Sequence, residues 1–456
     1  MRTKMQFHLK KILRWMAAIT AGMLLMVTVV RAESFSGAPD IHPELTAAIE
    51  AMQQGQGGEN RPPLEMNLSQ IGFVALPPGE TSDVWAHGNF AYVGGFGGGT
   101  TVKVVDISDP TNPQVVKELA APNADCSPQD VKVETINTEH FGGDLLVVGN
   151  DNCVTGVQLY DVSDPTNPTL LSESGPGFVH NTYLYNKGNR AYVLLAVPFA
   201  EVFDGFGDFV VMDITDPTDP QMIADWGAGK DGGIAFGSPF FPVPPFPPGS
   251  DCTPPLGTPE LCRGEQFPGV LLHDVWASTN GSTAYLSYWD AGLILLDISD
   301  PTNPTFLGRG EEPPTFGNDE GNAHVAVPGQ GGNLVLVGDE DFAPGPWGFL
   351  RVFDTSDATD PHEIGAFATS GSLGSDPTPA TMHNIIVRGS RAYLSWYFEG
   401  IRVVDFSQPS APREIAAFIP DPAETSPGLF WGVYVHKDMI LGSDILGGLF
   451  ILKMNN

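Results

Sequence analysis

The amino-acid sequence predicts an all-β protein, a seven-bladed β-propeller closed by an N-terminal strand. The first observation is a strand-and-turn motif, VVDISDPTNP at Val104–Pro113, that recurs along the chain. The second is that seven units align on this motif, and that the last unit has no fourth strand. The third is a strand at Met66–Leu76 that precedes the first unit and supplies the missing one. A solenoid is the alternative, but it leaves the missing strand and the extra strand unexplained.

Composition agrees with this fold class and excludes one class of partner. The chain has 456 residues, with 54 acidic against 22 basic side chains and a formal net charge of -32. Such a charge repels the phosphate backbone, so we expect no nucleic-acid partner. The 53 glycines and 41 prolines indicate a turn-rich β protein and not a helical bundle.

The first 32 residues resemble a secretory signal peptide. Basic residues precede a short apolar run at Met16–Val30, and Val30-Arg31-Ala32 has the small residues of a cleavage site. An uncleaved anchor is the alternative. Residues 33–65 are polar and rich in Gln and Gly, which predicts a flexible segment. We therefore expect a periplasmic or secreted protein with no transmembrane span after signal removal.

The four cysteines are consistent with export. The most economical pairing joins Cys126 to Cys153 and Cys252 to Cys262, and it is one of three possible connectivities. No pair has the CxxC spacing that is typical of a cysteine metal site or a redox site.

The clearest unit, His273–Gly310, shows how one blade is built. Four short β runs are separated by tight turns, and the Asp-Pro turn is explained by a carboxylate that accepts a backbone N–H two residues on. The propeller is predicted to span residues 66–456. A Pro-rich insertion at residues 227–269 interrupts it between blades three and four. This insertion is either a lid over one face or a loop that covers the rim.

The repeated strand and turn, with AYV or AYL about a dozen residues before it, resembles the LVIVD-repeat family of bacterial secreted propellers. This resemblance covers residues 66–456 and implies fold and export, not a reaction. Blade seven departs from it, because Lys453 stands where the other blades have Asp. The layout is also similar, in architecture only, to propeller enzymes that hold a metal with axial histidines: selenium-binding-protein-like methanethiol oxidases (copper) and carotenoid oxygenases (iron).

Four of the seven units begin their first strand with histidine: His180, His273, His324 and His383. Equivalent positions on a ring converge on its axis, and converging imidazoles bind transition metals such as copper or iron. The alternative is that a shared histidine is an inherited strand-start cap with a structural role. Trp431, Ser82 and Gln129 fill the other three positions, which leaves an incomplete ring with room for a substrate.

Acidic residues are expected on the same face and provide candidates for a second shell or a pocket. Asp274 directly follows an axial histidine, and others lie in turns between second and third strands: Asp290, Asp339, Glu340, Asp341, Glu399 and Asp444. Trp431 is a further pocket candidate. A carboxylate that accepts the far imidazole N–H would fix its tautomer, and the acidic face could attract calcium. The alternative is that each Asp stabilises only its own turn.

Two functions follow from these observations. The first is a binding or scaffold protein at the cell surface or in the periplasm, with a cell-surface protein or a glycan as partner. The second is a metal-dependent oxidoreductase that uses copper or iron and a small-molecule substrate at the histidine cluster.

Overall fold

The computed structural model describes residues 62–76, 80–97, 99–234, 270–317, 322–329, 331–342, 346–374, 379–421 and 428–455. The predicted signal peptide, nearly all of the predicted flexible segment and most of the insertion lie outside these residues. The same is true of Cys252 and Cys262.

Seven antiparallel sheets contain all 29 strands of the described chain. The sheets, which are the blades, follow one another in the order of the sequence. Blade 1 contains β3 (Glu80–His87), β4 (Phe90–Phe96), β5 (Thr101–Asp106) and β6 (Gln114–Ala120). Blade 2 contains β7 (Ser127–Asn137), β8 (Gly142–Asp151), β9 (Val157–Asp161) and β10 (Thr169–Ser174). Blade 3 contains β11 (Asn181–Lys187), β12 (Arg190–Ala196), β13 (Phe209–Asp213) and β14 (Gln221–Trp226), with a short helix α1 (Ala200–Phe203) after β12.

The second half of the ring repeats this order. Blade 4 contains β15 (Asp274–Ala277), β16 (Thr283–Ser287), β17 (Leu293–Asp297) and β18 (Thr305–Gly310). Blade 5 contains β19 (Ala323–Pro328), β20 (Leu334–Asp339), β21 (Leu350–Asp354) and β22 (His362–Phe367). Blade 6 contains β23 (Ile385–Arg388), β24 (Arg391–Ser395), β25 (Ile401–Asp405) and β26 (Arg413–Ile419). Blade 7 contains β27 (Phe430–His436), β28 (Met439–Asp444) and β29 (Gly448–Met454).

The first strands of the blades form the inner wall of the ring. Each of them contacts the first strand of the next blade, from β3 round to β27 and back to β3. This closed circuit confirms the predicted seven-bladed propeller. Among the described residues, no helix is both long and apolar enough to cross a lipid bilayer.

The N-terminal strand closes the ring, as the sequence predicted, but it is divided into two. Strand β2 (Leu68–Ala75) pairs with β29 and completes blade 7. Strand β1 (Leu64–Met66) pairs with β26 and adds a fifth strand to blade 6. The break falls at Asn67, which has a φ of 54°. Asparagine tolerates this left-handed conformation better than most residues, and here it redirects the chain from one blade to the next.

The middle strands of the blades explain the long apolar runs in the sequence. Each blade packs face to face against its neighbours, so both faces of its second and third strands are covered. Strands β12 and β13 are accordingly buried along almost their whole length. Burial of each Leu or Val side chain contributes about 1.5–3 kcal/mol, and these strands therefore supply most of the core.

The repeated Asp-Pro motif forms the turns that lead into the fourth strands. Asp300 accepts hydrogen bonds at Oδ1 from the backbone N–H and the hydroxyl of Thr302, at 3.0 and 2.7 Å. These bonds hold the pKa of the Asp300 carboxyl below its usual value. Asp109, Asp164, Asp216 and Asp357 make the same pair of bonds. The motif is therefore a structural turn.

Candidate metal centre at the propeller axis

The axial residues are those at the start of the first strand of each blade: Ser82, Gln129, His180, His273, His324, His383 and Trp431. The ring centroids of successive histidines are 4.3, 4.0 and 4.2 Å apart, from His180 to His383. Trp431 continues the series, 4.3 Å from His383. All four histidines are at most 2% exposed. The structure thus places the four sequence-predicted histidines in one contiguous, buried arc.

Local backbone irregularities direct these side chains. Strand pairing skips the axial residue in four blades, at Ser82, Gln129, His324 and Trp431. In three others the axial N–H donates to the carbonyl at the end of the second strand, at 2.9–3.0 Å: His180, His273 and His383. A β-bulge turns a side chain away from the regular alternation of a strand, and bulges are frequent beside active sites. The arc is therefore a product of backbone geometry repeated around the ring.

A polar side chain of the preceding blade holds the backbone of several axial residues. The axial carbonyls of His273, His324 and Trp431 accept hydrogen bonds from Asn181, Ser287 and Ser395, at 2.9, 2.9 and 2.6 Å. Each donor is on the blade before its acceptor. Because these groups are buried, each bond satisfies a carbonyl that would otherwise cost free energy. Adjacent blades thus fix each other's axial residues.

Within the arc, His273 and His324 converge with a third residue, Glu340. One potential ligand atom from each of the three lies within 4.8 Å of the others, and all three residues are buried. The Nε2 atom of His324 is 3.5 Å from a carboxylate oxygen of Glu340. Two imidazoles and one carboxylate form a ligand set that suits iron, zinc or copper.

Glu340 is rigidly placed just after β20. Its backbone N–H donates to the carbonyl of Asn322 at 2.9 Å, which joins it to the start of its own blade. Its Oε1 atom accepts the hydroxyl proton of Tyr397, from blade 6, at 2.5 Å. Burial raises the pKa of Tyr397 well above its ordinary value, and the adjacent Glu340 carboxylate adds to this. The phenol is therefore a hydrogen-bond donor at neutral pH.

His383 and His180 flank this cluster and are held in different ways. The Nδ1 atom of His383 lies 2.7 Å from the carbonyl oxygen of Trp431. A carbonyl only accepts, so Nδ1 carries the proton and Nε2 bears the lone pair of the neutral ring, as in many metal-ligating histidines. In His180, Nδ1 is 2.8 Å from Asp151, and the Gln129 amide nitrogen is 3.0 and 3.3 Å from the two ring nitrogens. His383 is thus the better suited to be a fourth ligand.

Two aromatic residues with unusual backbone conformations support the arc. Trp289 and Tyr397 have φ angles of 41° and 21°, in the left-handed region that large side chains rarely adopt. The Trp289 ring stacks against His273 with centroids 5.2 Å apart, and the Tyr397 ring lies 5.0 Å from His383. Backbone strain of this kind is concentrated at functional sites.

Two acidic residues proposed for a second shell lie in ion pairs of their blades. Asp339 accepts from Arg351 at 2.7 Å, and Glu399 accepts from Arg402 at 2.9 Å. Burial raises the pKa of Asp339, and Arg351 opposes this rise. The two arginines occupy the same position in LRVFD and IRVVD, so both pairs belong to one repeated structural device.

The remaining second-shell candidates are divided between turns and the channel. Asp444 accepts at Oδ1 from the N–H groups of Leu446 and Gly447, as a turn residue does. Asp290 is part of the turn after β16. Trp431 lies within the arc and also packs against Phe96, with centroids 4.6 Å apart.

Asp274 directly follows the axial residue His273, as Asp83 and Asp130 follow Ser82 and Gln129. These charged residues form a second layer of the central channel, which the first strands line. Lys132 bonds to Asp83 at 2.8 Å and to Asp130 at 2.5 Å, and its side chain is 9% exposed. Burial raises the pKa of Asp274 well above its ordinary value, while Lys132 counteracts the rise. Its electrostatic neighbours are Lys132, Asp130 and Asp83, so the structure places Asp274 in this layer.

The disulfide predicted between Cys126 and Cys153 is present. It joins the residue before β7 to a residue beyond the end of β8, next to the paired residues Ser127 and Asp151. These two strands carry Gln129 and Asp151, the partners of His180. The bond therefore stabilises the part of blade 2 that orients His180.

Sequence reasoning did not identify four residues of the site. Glu340 appeared only as one of several acidic turn residues, and Tyr397 was not singled out. Gln129 was noted only as filling an axial position, and Asp151 was not singled out. A signal was present for Tyr397, because SWYFEG at residues 395–400 aligns with SYWDAG at 287–292, where Trp289 is beside an axial histidine. No comparable signal distinguishes Glu340 from the other acidic residues.

Comparison with known proteins supports the fold. The LVIVD repeat model matches residues 78–120, 199–226, 273–310 and 381–418. The crystal structure of Chaetomium thermophilum Raptor is similar over 86% of this chain, with 13% identity and a TM-score of 0.51, and the chain spans 30% of the Raptor chain. The Myceliophteria thermophila Cps50 (Swd1) β-propeller domain matches over 84% of this chain and 99% of its own, with 10% identity and a TM-score of 0.50. Identities this low support the fold alone. No curated protein matches the chain.

Proposed function

We propose that this LVIVD-repeat β-propeller holds a transition-metal ion at its axis, with His273, His324 and Glu340 as ligands. The propeller fold is compatible with a binding or scaffold function, and the proposal names a metal ion as the species that is bound. The observation that carries it is the convergence of two buried imidazoles and one buried carboxylate within 4.8 Å. A bound cation would stabilise a buried carboxylate beside imidazoles, in addition to the hydroxyl that Tyr397 donates to Glu340.

The ligand types favour iron among the redox-active metals. Sets of two histidines and one carboxylate with open positions are typical of non-haem iron oxygenases, whereas Cu(I) selects sulfur ligands, which this set lacks. Bound iron or copper would supply one-electron chemistry, and we therefore propose an oxidoreductase. In this chain, His383 lies beside the proposed ligands as a candidate fourth ligand, and the aromatic rings of Trp289, Tyr397 and Trp431 pack against the histidines.

The proposal predicts stoichiometric metal in the wild-type protein and its loss in the double variant His273→Ala/His324→Ala. The reason is that a single carboxylate cannot replace two imidazole ligands. The measurement is elemental analysis of exported protein, followed by removal of the metal with a chelator and titration with Fe²⁺, Cu²⁺ and Zn²⁺ by calorimetry.

The matched control is the double variant His140→Ala/His362→Ala, which removes two exposed imidazoles away from the axis. It should retain wild-type metal content. A folded wild-type protein that binds none of the three metals would contradict the proposal, and so would equal metal content in the axial variant and the control.

The proposal includes export to an oxidising compartment. The disulfide between Cys126 and Cys153 supports it, because such bonds persist outside the reducing cytoplasm. We expect protein recovered from the periplasm or the medium to contain this bond, as shown by peptide mapping without reductant. Recovery of the protein only from the cytoplasm, with both thiols available for alkylation, would argue against export.

A further inference from the structure

Tyr397 occupies a position that is repeated in two blades and strained in both. It follows β24 at the same place where Trp289 follows β16, and both residues have positive φ angles. Each is joined by an isolated β-bridge to the first strand of the next blade, Trp289 to Ala323 and Tyr397 to Phe430. The two residues therefore lie where one blade meets the next. An aromatic residue held in a conformation that it rarely adopts suggests a role for its side chain.

The two side chains share one contact, and Tyr397 has a second. Both rings pack against an axial histidine, Trp289 against His273 and Tyr397 against His383. The hydroxyl of Tyr397 also crosses from blade 6 to blade 5 and donates to Glu340 at 2.5 Å. Ring packing alone would be satisfied by phenylalanine, so the hydroxyl requires its own explanation.

Because of this hydrogen bond, the two carboxylate oxygens of Glu340 have different partners. Tyr397 occupies Oε1, while Oε2 is 3.5 Å from Nε2 of His324. Tyr397 and Glu340 are both completely buried. A carboxylate with one oxygen held by a donor presents the other oxygen to a metal. The donor also fixes the rotamer, so that the ligand is in place before a metal arrives.

We propose that Tyr397 is a positioning residue that makes Glu340 a one-oxygen ligand of the axial metal. This inference rests on the proposed metal site and specifies its coordination. It differs from a packing role because it concerns the hydroxyl and not the ring.

The test uses Zn²⁺ as the probe and compares the wild-type protein with Tyr397→Phe. Removal of the hydroxyl should weaken Zn²⁺ binding about 10–100-fold, the effect typical of a lost outer-shell partner. X-ray absorption at the zinc edge should show one Glu340 oxygen bound in the wild type and two in the variant. The matched control is Tyr393→Phe, which loses a hydroxyl from β24, the strand that precedes Tyr397, outside the cluster, and should bind Zn²⁺ as the wild type does.

The outcomes separate this inference from the proposed function. Wild-type protein that binds Zn²⁺ through two Glu340 oxygens would overturn the inference and leave the metal site standing, whether or not the variant folds. Equal Zn²⁺ affinity and coordination in the wild type and Tyr397→Phe would do the same. Absence of Zn²⁺, Fe²⁺ and Cu²⁺ binding in the wild type would overturn both.

Discussion

Replacement of Lys132 by methionine should lower the free energy of unfolding by about 3–5 kcal/mol, because it leaves buried carboxylates without their cation. Lys132 bonds to Asp83 and Asp130, whose side chains are 10% and 2% exposed. Asp130 is fixed in addition by Thr182, whose N–H and hydroxyl donate to its Oδ2 atom at 2.9 and 2.6 Å. Asp130 therefore stays in the channel when Lys132 is removed.

The loss should depend on pH in a defined direction. Burial raises the pKa of Asp83 to about 7, although Lys132 opposes the rise. Without Lys132 this pKa should be higher still. An acid with a raised folded-state pKa contributes stability that is present at low pH and is lost as pH rises through that pKa. The variant's deficit relative to the wild type should therefore be larger at pH 8 than at pH 6, because only the wild type then holds an ionised, compensated Asp83.

Urea unfolding at both pH values measures this effect. The control is Lys453→Met, which removes an exposed lysine that is also paired with an aspartate, Asp438, at 2.5 Å. A surface pair contributes about 0–1 kcal/mol, so this control should change little. If Lys132→Met lost as little free energy of unfolding as this control, with no dependence on pH, Lys132 would not be the cation that stabilises Asp83 and Asp130.

Replacement of Arg351 by methionine should cost a similar amount, about 3–5 kcal/mol, and should also weaken metal retention. Arg351 is completely buried and bonds to Asp339 and Glu363, each at 2.7 Å. Its Nη1 atom also donates to the carbonyl of Pro313 at 2.9 Å. Asp339 directly precedes Glu340, so the loss of its partner should loosen the strand end that carries the proposed ligand.

Thermal unfolding and metal content together check this prediction. The control is Arg413→Met, whose side chain is 75% exposed and only loosely paired with Asp405, at 3.4 Å. That control should match the wild type in both measurements. If Arg351→Met were destabilised but retained its metal fully, the ion pair would be purely structural and Glu340 would be fixed by other contacts.

The repeat made much of this structure predictable. Aligned units fixed the number of blades, because each unit carries four β runs and the turns between them. The same alignment placed the four histidines at one position, and circular symmetry then required their convergence. The turn function of Asp300 and its equivalents was also predictable, because it depends only on residues two apart in the chain.

Other parts of the site depend on contacts that the repeat does not encode. Glu340 differs from Asp339 and Glu399 in the residue with which its carboxylate forms a hydrogen bond or ion pair. Those partner residues lie on other strands or other blades. The same is true of Tyr397, whose hydroxyl crosses a blade boundary, and of Asp151, which contacts His180 from the preceding blade. Strand β1 was missed because the conformation of Asn67, and not the apolar pattern, decides where one strand ends.

The closure of blade 7 by β2 also sets the order of events during synthesis of the chain. Leu68 pairs with Met454, so the sheet that seals the ring joins β2, which precedes all seven blades in sequence, to β29 of the seventh blade. A ribosome must produce every intervening blade before this pairing can form, and contacts so distant in sequence form slowly. Until then β2 and β28 keep open edges, which are sites for aggregation. Completion of the ring therefore follows synthesis of all seven blades, and the axial histidines come together in their final arrangement only when it has occurred.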